Sequence, residues 1–186
     1  MTPELINVED KNYAINKIKK SYNEIYINID DEIEEPKKYR DIYTTIEQAE
    51  QDDTIYVVLN TIGGRISTMN QMVNCLLNTK AKTKAIIHEA SSAGTGIALS
   101  CDEIEVKKFG YMMFHNASGG AYGKINEIES RVDFIKQWTK EVFLDLYRGF
   151  LTDVEIQQMF EGKDFYFNKE EIDRRLLNWV PIRKRK

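Results

Sequence analysis

Ser91 and Ser92 lie in the stretch HEASSAGTGIAL (88–99), where an apolar strand pattern gives way to an apolar helical one. A serine hydroxyl attacks a carbonyl only when a base takes its proton, and the oxyanion that forms needs hydrogen-bond donors. The unpaired N–H groups at a helix start can supply them. The plainer reading is that both hydroxyls simply cap the helix. The small residues around them let another segment or a ligand approach the backbone, beyond what a tight turn with one glycine requires.

The chain has two histidines from which to draw a base. His88 lies four residues before Ser92 on the same strand, about 13 Å away when extended, which is too far to touch it. His115 closes the run YMMFH (111–115) on another segment and can reach across. A histidine in that position can equally be structural. Asp164, between Lys163 and an aromatic run, reads on its own as a solvated loop carboxylate. Gly63-Gly64 forms a second strand-to-helix turn, either a tight turn only or a further source of free N–H groups.

Other chemistries fail on spacing. Ala90 and Gly94 flank Ser92 where a hydrolase elbow would carry glycines on both sides. Gly94-Thr95-Gly96 lacks the third glycine of a dinucleotide fingerprint, and no Walker sequence is present. Cys75 and Cys101 form no CxxC and, with two histidines, no zinc set. Both read as buried free thiols. No metal or organic cofactor is expected.

These residues need a sheet to hold them. EIYINID (24–30), TIYVVLN (54–60) and KAIIHEA (84–90) read as strands, with helical spacing over 38–50 and after Gly64. A helix is expected from Ala93 to Cys101, then two short strands, EIEVK and YMMFHN, separated by Gly110. Strands alternating with helices predict a parallel sheet covered by helices. A long helix is expected over 126–149, with Ile128, Val132, Ile135, Trp138 and Val142 along one apolar stripe and Phe134, Phe143, Leu144 and Tyr147 off it. Thr152 with Glu155, and Asn168 with Glu171, have capping spacing, so helices should begin at 153 and 169. KDFYF (163–167) lies between them as a short extended piece.

At 186 residues, 42% of them hydrophobic, the chain suits one folded domain with a core. A net charge of −4 gives no reason to expect a nucleic-acid partner, and the terminal RKRK (183–186) reads as a solvated tail. The opening residues hold no run suited to a signal peptide, and no stretch is long enough to span a bilayer. The expectation is a cytoplasmic protein with no membrane partner.

From about Tyr56 to Val180 the sequence resembles the family of Clp protease proteolytic subunits, ClpP. Asn60-Thr61-Ile62-Gly63-Gly64 is similar to its N-S-P-G-G turn, and Ala90-Ser91-Ser92-Ala93-Gly94 to its A-A-S-M-G nucleophile turn. Met113-Phe114-His115, Gly119-Gly120-Ala121-Tyr122-Gly123 and Glu127-Ile128-Glu129 resemble M-I-H, G-G-A-x-G and E-I-E. Lys163-Asp164-Phe165-Tyr166-Phe167 resembles R-D-R-F. Ile62, Arg65 and Asn116-Ala117 depart from the family's pattern.

The resemblance implies an α/β fold of ClpP/crotonase type, with repeated ββα units and a protruding handle helix (124–149). It implies one peptidase domain over 1–186, residues 1–22 forming an N-terminal segment. It makes Ser92 the nucleophile, His115 the general base and Asp164 the acid that orients His115. The oxyanion would be held by the backbone N–H groups of Gly64 and Ala93. Gly119, Gly120, Ala121, Tyr122 and Gly123 would bind substrate as an extended strand. The implied activity is serine-type endopeptidase hydrolysis of unfolded or small polypeptides, of the ATP-dependent kind. Implied too are a homo-oligomer of two stacked seven-membered rings and an ATPase unfoldase partner. Two other readings stay open at this point: a catalytically silent ring or scaffold, and a crotonase-type enzyme acting on acyl-CoA.

Overall fold

The structure, a computed structural model, describes residues 4–6, 15–17, 22–120 and 122–185. Most of the expected N-terminal segment 1–22 lies outside the described residues. Two short strands within it, β1 (Glu4–Ile6) and β2 (Ile15–Lys17), pair antiparallel.

The main sheet has five strands in the order β3 (Glu24–Ile33), β4 (Thr54–Gly64), β5 (Lys82–Ser91), β6 (Glu103–Phe114) and β7 (Phe165–Asn168). The first four run parallel. In β4, Ile55, Val57 and Leu59 face the core and are fully buried, as the alternation of a strand requires. Helices α1 (Arg40–Gln48), α2 (Ile66–Asn78) and α3 (Ala93–Leu99) make the crossovers that parallel strands need. Every residue of α3 is buried. Its Gly96 leaves no room for a side chain, since a Cβ there would meet Met69 Sδ of α2 at 2.5 Å.

The chain then forms α4 (Ile125–Tyr147), α5 (Asp153–Phe160) and α6 (Lys169–Leu176). Thr152 and Asn168 cap α5 and α6 at the expected positions, each accepting from the backbone N–H three residues on. The N-terminal half of α4 stands out from the sheet, with Ile125 and Phe134 exposed. Its C-terminal end is buried. Phe143 and Tyr147, which periodicity alone leaves off the apolar stripe, pack in the aromatic core with Phe114 and Phe160.

Three expectations need correction. The two short strands around Gly110 are one strand, β6. A Cβ on Gly110 would meet the Ile87 carbonyl at 2.5 Å, so glycine lets the strands stay close while the register shifts. Of the extended piece 163–167, Phe165, Tyr166 and Phe167 belong to the edge strand β7, which runs antiparallel to β6 and not parallel to it. Arg183 and Arg185 of the basic tail are not free. Arg183 donates to the Thr79 and Ala81 carbonyls and to Asp102, and Arg185 to the Val180 and Asp145 carbonyls. Both cysteines are buried, although Cys101 falls beyond the end of α3.

Behind β7, Arg175 of α6 forks onto Glu155 and Glu171 and donates to the Phe150 carbonyl. Its guanidinium lies 4.0 Å from the Phe167 ring centroid. The Arg175 hydrogen bonds hold the Glu155 carboxyl down at about 2, against the opposing push of burial. This cluster fixes the helices that flank β7, and so the strand that follows Asp164.

Candidate active site

The turn after β5 is built around Ser92. Its backbone sits at φ 53° and ψ −119°, one of two described non-glycine residues with positive φ, the other being Asp31. Such a conformation costs about 1–3 kcal/mol and persists only where the surroundings enforce it. Here they do. The Ser92 N–H donates to the Met113 carbonyl of β6 at 2.8 Å. Its carbonyl accepts from the Thr95 N–H at 3.0 Å and the Thr95 hydroxyl at 2.6 Å.

Ser91 and Ser92 part ways at this turn. Ser91 is buried, and its hydroxyl donates to Glu89 at 3.1 Å. The Ser92 hydroxyl points outward and lies 2.7 Å from Nε2 of His115, the first residue beyond β6. Neither serine side chain caps α3. His88 is exposed on β5.

Gly63 and Gly64 close the other side. Both have positive φ, and a Cβ on Gly63 would lie 2.5 Å from Cβ of Ser92 and 3.0 Å from the Ala93 nitrogen. Only glycine allows that approach. A bulge at Asp31 and the Thr61 hydroxyl shape this turn: Thr61 donates to the Asp31 carbonyl and accepts from the Gly63 N–H at 3.1 Å. The Ile33 carbonyl accepts from Arg65, one residue past its partner Gly64. In a parallel ladder that turns the Gly64 N–H to the opposite edge of β4. The Ala93 N–H is the first of α3 and has no partner within the helix.

Ser92 and His115 open into a cavity of about 730 Å³. Val132, Ile135 and Trp138 of α4 form one wall, so the middle of the apolar stripe on this helix faces the site. Gly119 and Gly120 lie on the rim, with open space where side chains would be. Tyr122 is fully exposed, Gly123 has φ 150° just ahead of α4, and Ala121 lies outside the described residues. Sequence reasoning singled out neither Thr139, which also lines the cavity, nor Thr61.

Asp164 is exposed and immediately precedes β7. The β6–β7 ladder pairs Phe114 with Phe165, so its next step sets Asp164 opposite His115. Among the described residues no hydrogen bond joins the two side chains; the one His115 side-chain bond is to Ser92.

The arrangement offers a hydroxyl beside an imidazole, with glycine-lined backbone donors nearby. That set suits acyl transfer. Among the described residues no helix is long and apolar enough to cross a membrane. A comparison with curated proteins returns no match. A family model described as Clp protease matches residues 9–171, most of the chain. The mixed α/β sheet with its helices is the ClpP/crotonase-like fold of that family. With the match spanning the sheet, the Ser92 turn, His115 and Asp164, the chain belongs to the Clp protease family.

Proposed function

We propose that this chain is a serine-type endopeptidase that hydrolyses unfolded or small polypeptides. The observation that carries the reading is the 2.7 Å contact between Ser92 Oγ and His115 Nε2 at a strained, outward-facing turn. His115 takes the Ser92 proton as the hydroxyl oxygen attacks the scissile carbonyl. The Gly64 and Ala93 N–H groups hold the oxyanion. His115 then gives the proton to the leaving amine, and water attacks the acyl-enzyme in the same way. Hydrolysis of an unfolded protein by the purified chain, stopped by a fluorophosphonate, supports this reading. An inert, unlabelled chain would favour a silent scaffold.

Asp164 is proposed to orient the imidazole. The ladder register that pairs Phe114 with Phe165 brings it level with His115. Asp164→Asn is expected to slow turnover about 10⁴-fold with the fold intact, as in triads generally. Steady-state kinetics check this, and a loss under tenfold would assign the orienting role to another group.

Substrate is proposed to lie along 119–123 as an added strand. Main-chain pairing along a stretch with so little side chain tolerates many sequences. The handle helix is proposed to join two seven-membered rings, in the cytoplasm, with an ATPase unfoldase feeding the enclosed chamber. Phe134, 67% exposed on the outer half of α4, supports an apolar contact there. Phe143 and Tyr147 do not, being core residues. Light scattering is expected to give about fourteen times the 21.7 kDa chain mass. A fully active monomer would overturn the ring.

A further inference from the structure

Tyr147, at the C-terminal end of α4, is enclosed in the aromatic core between Phe114 and Phe143. A phenylalanine would fill that space without bringing a polar atom inside. A buried phenol needs a partner, and this one has it: its hydroxyl lies 2.9 Å from that of Thr95, itself fully buried. The Thr95 hydroxyl has one proton, and it goes to the Ser92 carbonyl at 2.6 Å. The Tyr147 proton therefore goes to the Thr95 oxygen, and each bond polarises the next. Burial pushes the Tyr147 phenol up to about 12.

We propose that Tyr147 and Thr95 are positioning residues for the nucleophile, a buried hydroxyl relay that fixes the Ser92 carbonyl and with it the direction of the Ser92 side chain. The N–H side of Ser92 is anchored separately, on Met113. With both peptide groups held, the Cα–Cβ direction of Ser92 is set, and from it the hydroxyl reaches His115 Nε2 at 2.7 Å. The relay joins the nucleophile to the helix that also walls the substrate cavity. This inference rests on the peptidase reading above and adds to it two residues that touch no substrate.

The test uses Tyr147→Phe, which removes one oxygen and keeps the ring, with Thr95→Val and Thr95→Ser. Turnover, KM, the rate of fluorophosphonate labelling and melting temperature are measured for each. Tyr147→Phe is expected to lower kcat and the labelling rate together, about tenfold, with KM within about twofold. Thr95→Val is expected to lose about a hundredfold, and the double variant no more, because the phenol acts only through Thr95. Thr95→Ser keeps the hydroxyl and restores the rate. A fall in melting temperature with kcat and labelling unchanged in Tyr147→Phe would overturn the proposal, whether or not Thr95→Val folds. An unlabelled wild-type chain would instead sink the peptidase reading, and this one with it.

Discussion

Ser92→Ala is expected to abolish peptide hydrolysis, with a loss on the order of 10⁶-fold in kcat, the scale seen when a triad nucleophile is removed. The substitution deletes one oxygen from a side chain that makes no structural hydrogen bond beyond His115. Alanine meets the same backbone constraints at φ 53°, so the Met113 and Thr95 contacts remain. Ser91→Ala provides the contrast. Its buried hydroxyl is bonded to Glu89, so removing it costs about 1 kcal/mol of stability and leaves the chemistry largely in place. Peptide assays on both variants check this. A loss of similar size from Ser91→Ala would shift the nucleophile by one residue.

His115→Gln is expected to cost a comparable factor, because base and nucleophile act as a unit. Glutamine can hydrogen-bond to Ser92 but cannot accept its proton and return it to the leaving group. The Ser92→Ala/His115→Gln double variant should be no slower than either single one. His88→Gln should stay within about twofold of wild type, since His88 is exposed on β5 and faces no reacting group. Circular dichroism confirms folding in each case. If the His88 and His115 variants, both folded, lost activity equally, the assignment of the base would fail.

Much of the fold could be read in short patterns. Alternating apolar residues marked the parallel strands, and Thr152 and Asn168 announced the helices they cap. The small residues around Ser92 signalled the close approach that Gly63 makes. What escaped depends on partners distant in sequence. Gly110 looks like a strand break until the Ile87 carbonyl is seen pressed against it. β7 gains its direction only from pairing with β6. Helical periodicity marked the stripe on α4 but could not show how the buried arc widens at Phe143 and Tyr147. Arg183 reads as solvated because Thr79, Ala81 and Asp102 are about a hundred residues away or close to it.

In the site, the strand ends carrying Ser92 and His115 were legible, as was the glycine turn. The Thr95–Tyr147 contact was not, since 52 residues separate its two hydroxyls. Nor could spacing reveal that Asp164 stands level with His115 without bonding to it.

Ser92 is proposed as a nucleophile made reactive by His115. Treating the native protein with a fluorophosphonate, digesting it and locating the adduct by mass spectrometry tests this most directly. One adduct per chain is expected, on Ser92, lost in His115→Gln and retained in His88→Gln. An adduct on Ser91, or labelling of Ser92 that survives His115→Gln undiminished, would contradict it.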